Sequence, residues 1–424
     1  MSAYSPRILD AELDDLLSGL PALAIEGPKA VGKTATAERR SVTTFRLDTP
    51  PHRDLAVADP RLLLEAKTPI LIDEWQHVPE VWDAVRRSVD ADPTPNRYIL
   101  TGSAAPIAAP THSGAGRIVS VRMRPLSLAE RGLGTPTVSL ARLLIGQRPP
   151  IEGVTSVDLA AYTEEIVRSG FPGIRHLGGR ALRAQLAGYL GRIVDRDFIE
   201  QGAPVRKPET LRRWMAAYAA ATATTTSLEK IRNAATGGYG EVPTKVTVLR
   251  YRDVLERLWI VDPVPGWLPS RNHLSRLVQA PKHHLADPAL AARLLGADED
   301  ALLSGATAPV LTPRDGTLLG KLFESLVTLS VRVHAQAAEA VVRHLRTKEG
   351  RQEIDLIVER SDQRVLAMEV KLSGTVSDED VRHLLWLKDL LGDDVLDLVV
   401  VTTGTHAYRR PDGVAVVPAA LLGP

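Results

Sequence analysis

Apolar positions along this chain follow two rhythms. Through the first third, short apolar runs alternate with helical stretches. The runs are "ALAIEG" (22–27), "TTFRLD" (43–48), "PILIDEW" (69–75), "RYILTGS" (97–103) and "RIVSVRM" (117–123). Strands alternating with helices predict an α/β unit, a largely parallel sheet flanked by helices. A Pro- and Gly-rich stretch from Gly132 to Gly153 predicts a boundary. Then the rhythm lengthens. Leu182, Leu186, Tyr189 and Ile193 keep helical spacing, with Gly202 as the stop, and Val248, Tyr251, Leu255 and Leu258 share one helical face. From about Pro313 the chain returns to mixed α/β. A helix in "GTLLGKLFESLVTLSVRV" leads to strands "AVVRHL", "EIDLIVE" and "VLAMEVKL", then a helix in "SDEDVRHLLWLKDLLG" and a strand "VLDLVVVTT". Three domains are expected, over 1–150, 151–310 and 311–424.

The first apolar run opens into "GPKAVGKT", which fits the phosphate cradle GxxxxGK[ST]. Gly27 and Gly32 let the backbone turn tightly and expose its N–H groups, across Pro28, Lys29, Ala30 and Val31. Lys33 and Thr34 then open a helix whose N-terminus favours negative charge. Lys33 is placed to neutralise the outer phosphates of ATP and Thr34 to give its hydroxyl to Mg²⁺. At the end of a later strand, Asp73 is the expected carboxylate of the magnesium shell and Glu74 the base that polarises water. Thr101, with Ser103 second, is the candidate polar sensor of the γ-phosphate; the other reading is a strand-ending hydroxyl that caps a turn. Arg117 is a candidate to offset transition-state charge, within one chain or between subunits; the other reading is a solvated arginine.

Composition narrows the field. At 424 residues the chain can hold about two to four domains. Its formal net charge is +1, so any contact with nucleic acid must be local. There is no cysteine, which excludes disulfides, thiolate nucleophiles and Cys-ligated zinc. No apolar run approaches the roughly twenty residues that span a bilayer. The first residues lack a basic region followed by an apolar one, so a soluble cytoplasmic protein without a membrane partner is expected.

The stretches "GPKAVGKT", "ILIDEWQHVPEVW", "ILTGSA", "GRIVSVRMRPLSLAE" and "SGFPG" run in the order seen in prokaryotic AAA+ ATPases that carry a C-terminal domain of unknown function. The chain resembles that family over nearly its whole length. "YLGRIVDRDFIEQG", "VLRYRDVLERLWIV", "HHLADPAL" and "EIDLIVE…AMEVKLS" are similar to its C-terminal part. It departs from the pattern in the short, polar helix after Thr34. The resemblance implies an ATPase module, a winged-helix region and a fold similar to restriction-endonuclease-like nucleases. "TSLEKIRNAATGGYGEVPTKVTVLRYRDVLERLWIV" can supply a helix, a turn, a second helix and a wing. Lys245, Arg250 and Arg252 would then face DNA, or simply water.

In "EIDLIVE", alternation predicts Glu353 and Asp355 on one face, Ile354 and Leu356 on the other. Glu369 and Lys371 share a face of "VLAMEVKL". If these strands form a hairpin, Asp355, Glu369 and Lys371 converge, and Glu324 on the preceding helix can join. Hard carboxylate oxygens suit Mg²⁺ or Mn²⁺, and Lys371 can position a water or offset charge. The order resembles the restriction-like nuclease pattern; a sheet surface used only for binding would show the same strands. His283 and His284 read as structural. Arg343, Arg346, Lys348 and Arg351 read either as a phosphate-backbone contact or as a solvated hairpin edge. Three functions stand: an ATPase coupled to DNA binding or metal-dependent nuclease action, a nucleotide-dependent switch for a protein partner, and a winged-helix DNA-binding regulator.

Overall fold

The computed structural model describes residues 4–103, 114–236, 242–269, 279–304, 317–347 and 350–424. Lys348, Ala104 and residues 237–241, where the sequence predicts a turn, lie outside the described residues. The five early runs become β1 (Ala22–Glu26), β2 (Thr43–Arg46), β3 (Ile70–Asp73), β4 (Tyr98–Gly102) and β5 (Val119–Arg122). They form one parallel sheet in the order β2-β3-β4-β1-β5. Central strands of such a sheet are apolar throughout because both faces are covered. Leu23 and Ile25 join Leu13 and Leu17 of α1 (Leu9–Gly19) in one core. Ala22 and Ala24 join Trp82 and Val85 of α3 (Glu80–Ala91) in another. Between these lies α2 (Lys33–Glu38), only six residues long.

The middle of the chain is helical: α4 (Gly179–Arg192), α5 (Pro208–Ala220), α6 (Leu228–Ala234), α7 (Lys245–Arg257) and α8 (Pro288–Leu294). The apolar face of α7 buries Val248, Tyr251 and Leu255, as the spacing predicts. α4 does not run evenly to Gly202. It passes into a π-turn at Ile193–Asp197 before a last short turn, Phe198–Glu200. One inserted residue per turn rotates the following side chains, so Asp197 and Phe198 are both buried.

The last block is an eight-stranded mixed sheet in the order β7-β13-β14-β12-β11-β10-β9-β8. Its inner strands are β9 (Val341–Arg346), β10 (Glu353–Glu359), β11 (Val365–Lys371), β12 (Val395–Thr402), β13 (His406–Arg409) and β14 (Ala415–Pro418). α9 (Thr317–Ala337) covers one face and α10 (Asp378–Leu391) the other. The stretch from Gly132 to Gly153 is no loose linker. Within it β6 (Val138–Ser139) pairs with β15 (Leu422–Gly423), and β7 (Gly153–Val154) pairs with β13. β8 (Gly266–Trp267) closes the opposite edge against β9. Earlier parts of the chain thus cover sheet edges that would otherwise expose unpaired backbone.

Strict alternation fails in β10. Its register against β9 shifts between Ile354 and Ile357. Ile354 packs with Leu384 of α10, whereas Leu356 packs in the core on the α9 side. A bulge of this kind re-aims neighbouring side chains. Asp355 accordingly faces α9, where Glu324 stands.

Candidate functional site

Parallel pairing brings the C-terminal ends of β1, β3 and β4 to one edge, with Ile25, Thr101 and Asp73 in register. The loop Gly27–Gly32 leaves β1 there. A Cβ at Gly27 would sit 2.2 Å from the Met123 carbonyl oxygen, so no side chain fits. Gly32 has φ +105°, a left-handed conformation that suits glycine. Lys33 is buried, and its ammonium donates to the carbonyls of Gly27 (2.8 Å) and Pro28 (2.9 Å). Burial lowers its pKa to about 8, although Glu74 and Asp73 pull the other way.

Asp73 accepts hydrogen bonds from the Thr34 hydroxyl (2.9 Å) and from the Thr101 hydroxyl. Burial raises its pKa, and those two bonds oppose the rise. Glu74 follows in a left-handed conformation, φ 54°. Its carboxylate accepts from Ser103 Oγ at 2.9 Å and from the Gln76 amide. The Thr34 hydroxyl and Asp73 carboxylate form a hard-oxygen pair of the kind Mg²⁺ takes. Lys33, Thr34, Asp73, Glu74, Thr101 and Ser103 therefore gather at one edge of the sheet.

Arg117 is not among them. It precedes β5, whose Val119 pairs with Leu23, so it lies toward the opposite end of the sheet. There it is exposed and ion-paired with Asp90 at 2.7 Å. Lys29 points away from the cradle: its ammonium meets Asp197 of the π-turn (2.7 Å) and Glu200 of the short turn after it (3.2 Å). On α7, Arg250 donates to the Gly202 carbonyl at 3.1 Å and Arg252 to Glu256 at 2.7 Å.

At the other end of the molecule, Glu324, Asp355, Glu369 and Lys371 do meet, in a cleft of about 660 Å³. One residue that sequence reasoning passed over stands among them. The ammonium of Lys282, 1% exposed, lies 2.7 Å from Glu324 Oε1, 3.1 Å from Asp355 Oδ1 and 3.9 Å from Glu353 Oε1. The expected metal held by Glu324, Asp355 and Glu369 is thereby corrected, because the Lys282 ammonium already takes an oxygen of Glu324 and of Asp355 and Lys371 takes one of Glu369. These donors do not fit a divalent ion while Lys282 stays, and among the described residues no three such side chains stand in a metal-holding arrangement. Burial raises Glu324 to about 8, helped by Asp355 and opposed by Lys282. Burial also drives Glu369 well up, and it shares a hydrogen bond with Asp355. Asp355 itself is lowered: burial would raise it, but Lys282 and the Val370 N–H outweigh burial. Lys371 is held by Glu369 at 3.3 Å.

Other supporting residues were also missed. Buried Arg7 donates to the Val31 carbonyl (3.0 Å) and to the Arg124 carbonyl (2.6 Å), bracing the phosphate loop from beneath. Asp287 accepts from the Gly170 N–H at 2.6 Å, so "SGFPG" and "HHLADPAL" meet. His283 and His284 are buried, held by the Thr226 carbonyl (2.7 Å) and Ser325 (3.1 Å), and burial lowers both pKa values.

Fold and loop together form a parallel α/β unit with a phosphate-cradle loop at the C-terminal edge of its sheet. Residues 20–131 match the family model described as an AAA domain. Residues 159–301 and 319–422 match two domains of unknown function, DUF8612 and DUF4143. The chain is similar to the uncharacterized proteins Mb2031c of Mycobacterium bovis and Rv2008c of Mycobacterium tuberculosis. Each is 26% identical over 419 residues, covering 96% of this chain and 82% of the relative. Among solved structures it is similar to the Walker-type ATPase PABY2304 of Pyrococcus abyssi, 14% identical, with a TM-score of 0.39 over 67% of this chain and 94% of that one. It is also similar to the ORC2 protein of Aeropyrum pernix, in ADPNP–ADP complexes, again 14% identical, with a TM-score of 0.29 over 73% and 98%. At these TM-scores neither likeness bears on function. No described helix is long and apolar enough to cross a membrane.

Proposed function

We propose that this protein binds and hydrolyses ATP with Mg²⁺. The reading rests on the gathering of Lys33, Thr34, Asp73, Glu74 and Thr101 at one sheet edge beside the glycine loop. In this reading the loop N–H groups and Lys33 hold the phosphates, Thr34 and Asp73 hold Mg²⁺, Glu74 activates water, and Thr101 reports on the γ-phosphate. Mg²⁺ offsets charge between the outer phosphates. Ser103 and Gln76 orient the Glu74 carboxylate.

Glu74→Gln is the direct test. Loss of a general base lowers turnover by roughly 10²- to 10³-fold. ATP affinity, measured by calorimetry, stays within about threefold of wild type, because the substitution keeps the shape. Turnover near the wild-type rate would remove Glu74 from its role.

A second element of the reading is a nucleotide-dependent switch. The contact of Lys29 with Asp197 and Glu200 supports it, since the phosphate loop is tied there to the helical middle of the chain. Domains of about 1–150, 151–310 and 311–424 are the parts that would move. The partner in this reading is a protein. DNA contact would fall to α7, where Lys245 and Arg250 are exposed; DNA retention unchanged in Arg250→Glu would eliminate that surface.

A further inference from the structure

Lys282 is rigidly delivered. Its backbone exchanges two hydrogen bonds with Val264, both 2.9 Å, and the next two residues, His283 and His284, are buried and hydrogen-bonded. It comes from the middle of the chain and lies across carboxylates of α9 and β10. The N···O spacings of 2.7 Å and 3.1 Å are those of ammonium hydrogen bonds. A divalent cation would need those same oxygens at about 2.0–2.6 Å.

Three further oxygens of the cleft have partners of their own. Asp355 Oδ2 accepts from the Val370 N–H at 2.9 Å. Glu353 Oε2 pairs with Arg346 at 3.1 Å, and Glu369 pairs with Lys371. A metal entering here would compete for ligands and be repelled by an ammonium a few ångströms away.

We propose that Lys282 is a built-in cation that lies buried against the carboxylates lining the C-terminal cleft and keeps divalent metal out of it. The nuclease-like face is thus held metal-free by a residue of the middle segment. Access for Mg²⁺ or Mn²⁺ requires that segment to withdraw. The device stands apart from the ATPase reading, since none of its residues touches the phosphate loop.

The test uses the full chain, Mn²⁺ alone and no nucleotide. Free Mn²⁺ is read by electron paramagnetic resonance, and Asp355→Asn identifies binding at the cleft. The wild-type chain is expected to show no Asp355-dependent binding up to about 1 mM, a weak-site range. Lys282→Met is expected to take up one Mn²⁺ per chain at least about tenfold more tightly, to lose it on adding Asp355→Asn, and to gain thermal stability from Mn²⁺ that wild type does not. Should Lys282→Met fail to fold, Lys282→Gln with Glu324→Gln removes a negative charge along with the ammonium and is expected to bind in the same way. Asp355-dependent Mn²⁺ binding by wild type overturns the proposal. So does a folded Lys282 variant that binds no Mn²⁺. Neither result touches ATP turnover, so the two readings fail separately.

Discussion

Two buried lysines in this molecule face opposite situations. Lys33 donates to two neutral carbonyls of its own loop. Lys282 donates to carboxylates. A buried charge whose hydrogen bonds go only to neutral dipoles is poorly compensated, and burial drives Lys33 down to about 8 against the weaker pull of Glu74 and Asp73. For Lys282 burial acts in the same direction, but Glu324 and Asp355 overcome it and hold the ammonium charged. The first lysine gains from an incoming anion. The second is already neutralised and turns away an incoming cation. The same side chain is therefore poised for a ligand at one end of the chain and closes a site at the other.

The sharpest way to break the comparison is to remove the poised lysine. Lys33→Ala takes away charge-assisted hydrogen bonds to a triphosphate, worth roughly 3 kcal/mol, so ATP affinity falls by about a hundredfold. Isothermal titration with ATP and Mg²⁺ reads this directly. The fold should survive, because the variant deletes a buried charge whose hydrogen-bond partners are two neutral loop carbonyls rather than a carboxylate. A Lys33→Ala chain that still binds ATP at wild-type strength would show that the loop does not grip phosphate.

The same lysine gives a pH signature. Its folded pKa lies below the ordinary lysine value, so the empty site is relieved as Lys33 loses its proton above pH 8. Phosphate needs the protonated form, and binding above that pH must take up a proton. Affinity for ATP is therefore expected to fall as pH rises, by about fivefold between pH 8 and pH 9. Calorimetry in buffers of different ionisation enthalpy would count the proton taken up. An affinity flat across that interval would mean that Lys33 is already fully charged without nucleotide.

These two sites were not equally visible in the amino-acid sequence. The phosphate loop is contiguous, and the apolar runs around it place Asp73 and Thr101 by simple parallel pairing. Glu324, Asp355, Glu369 and Lys371 were also visible, because each sits on a strongly patterned helix or strand. Lys282 was not. It lies 42 residues from Glu324 and 73 from Asp355, in a stretch without periodicity whose two histidines draw the eye. The β10 bulge was hidden for a related reason, since a one-residue shift leaves every residue type unchanged while moving Leu356 to the other core. Arg117 stands apart from the cradle within one chain, and its sequence position, near a strand, does not say which end of the sheet it occupies.

The smallest expected effect concerns Lys29, which shares the phosphate loop with Lys33 yet faces the other way. Its ion pair with Asp197 and Glu200 is half-exposed, and such pairs are worth about 0.2–1 kcal/mol. Lys29→Ala should thus change ATP affinity by only about two- to threefold. Its larger consequence is in communication. If the pair links loop to π-turn, ATP should alter amide exchange across residues 193–200 in wild type and leave them unchanged in Lys29→Ala. Asp197→Asn should behave alike, because it removes the same pair from the other side. Equal exchange responses in wild type and both variants would mean that Lys29 merely decorates the loop, and that only Lys33 links this end of the molecule to its ligand.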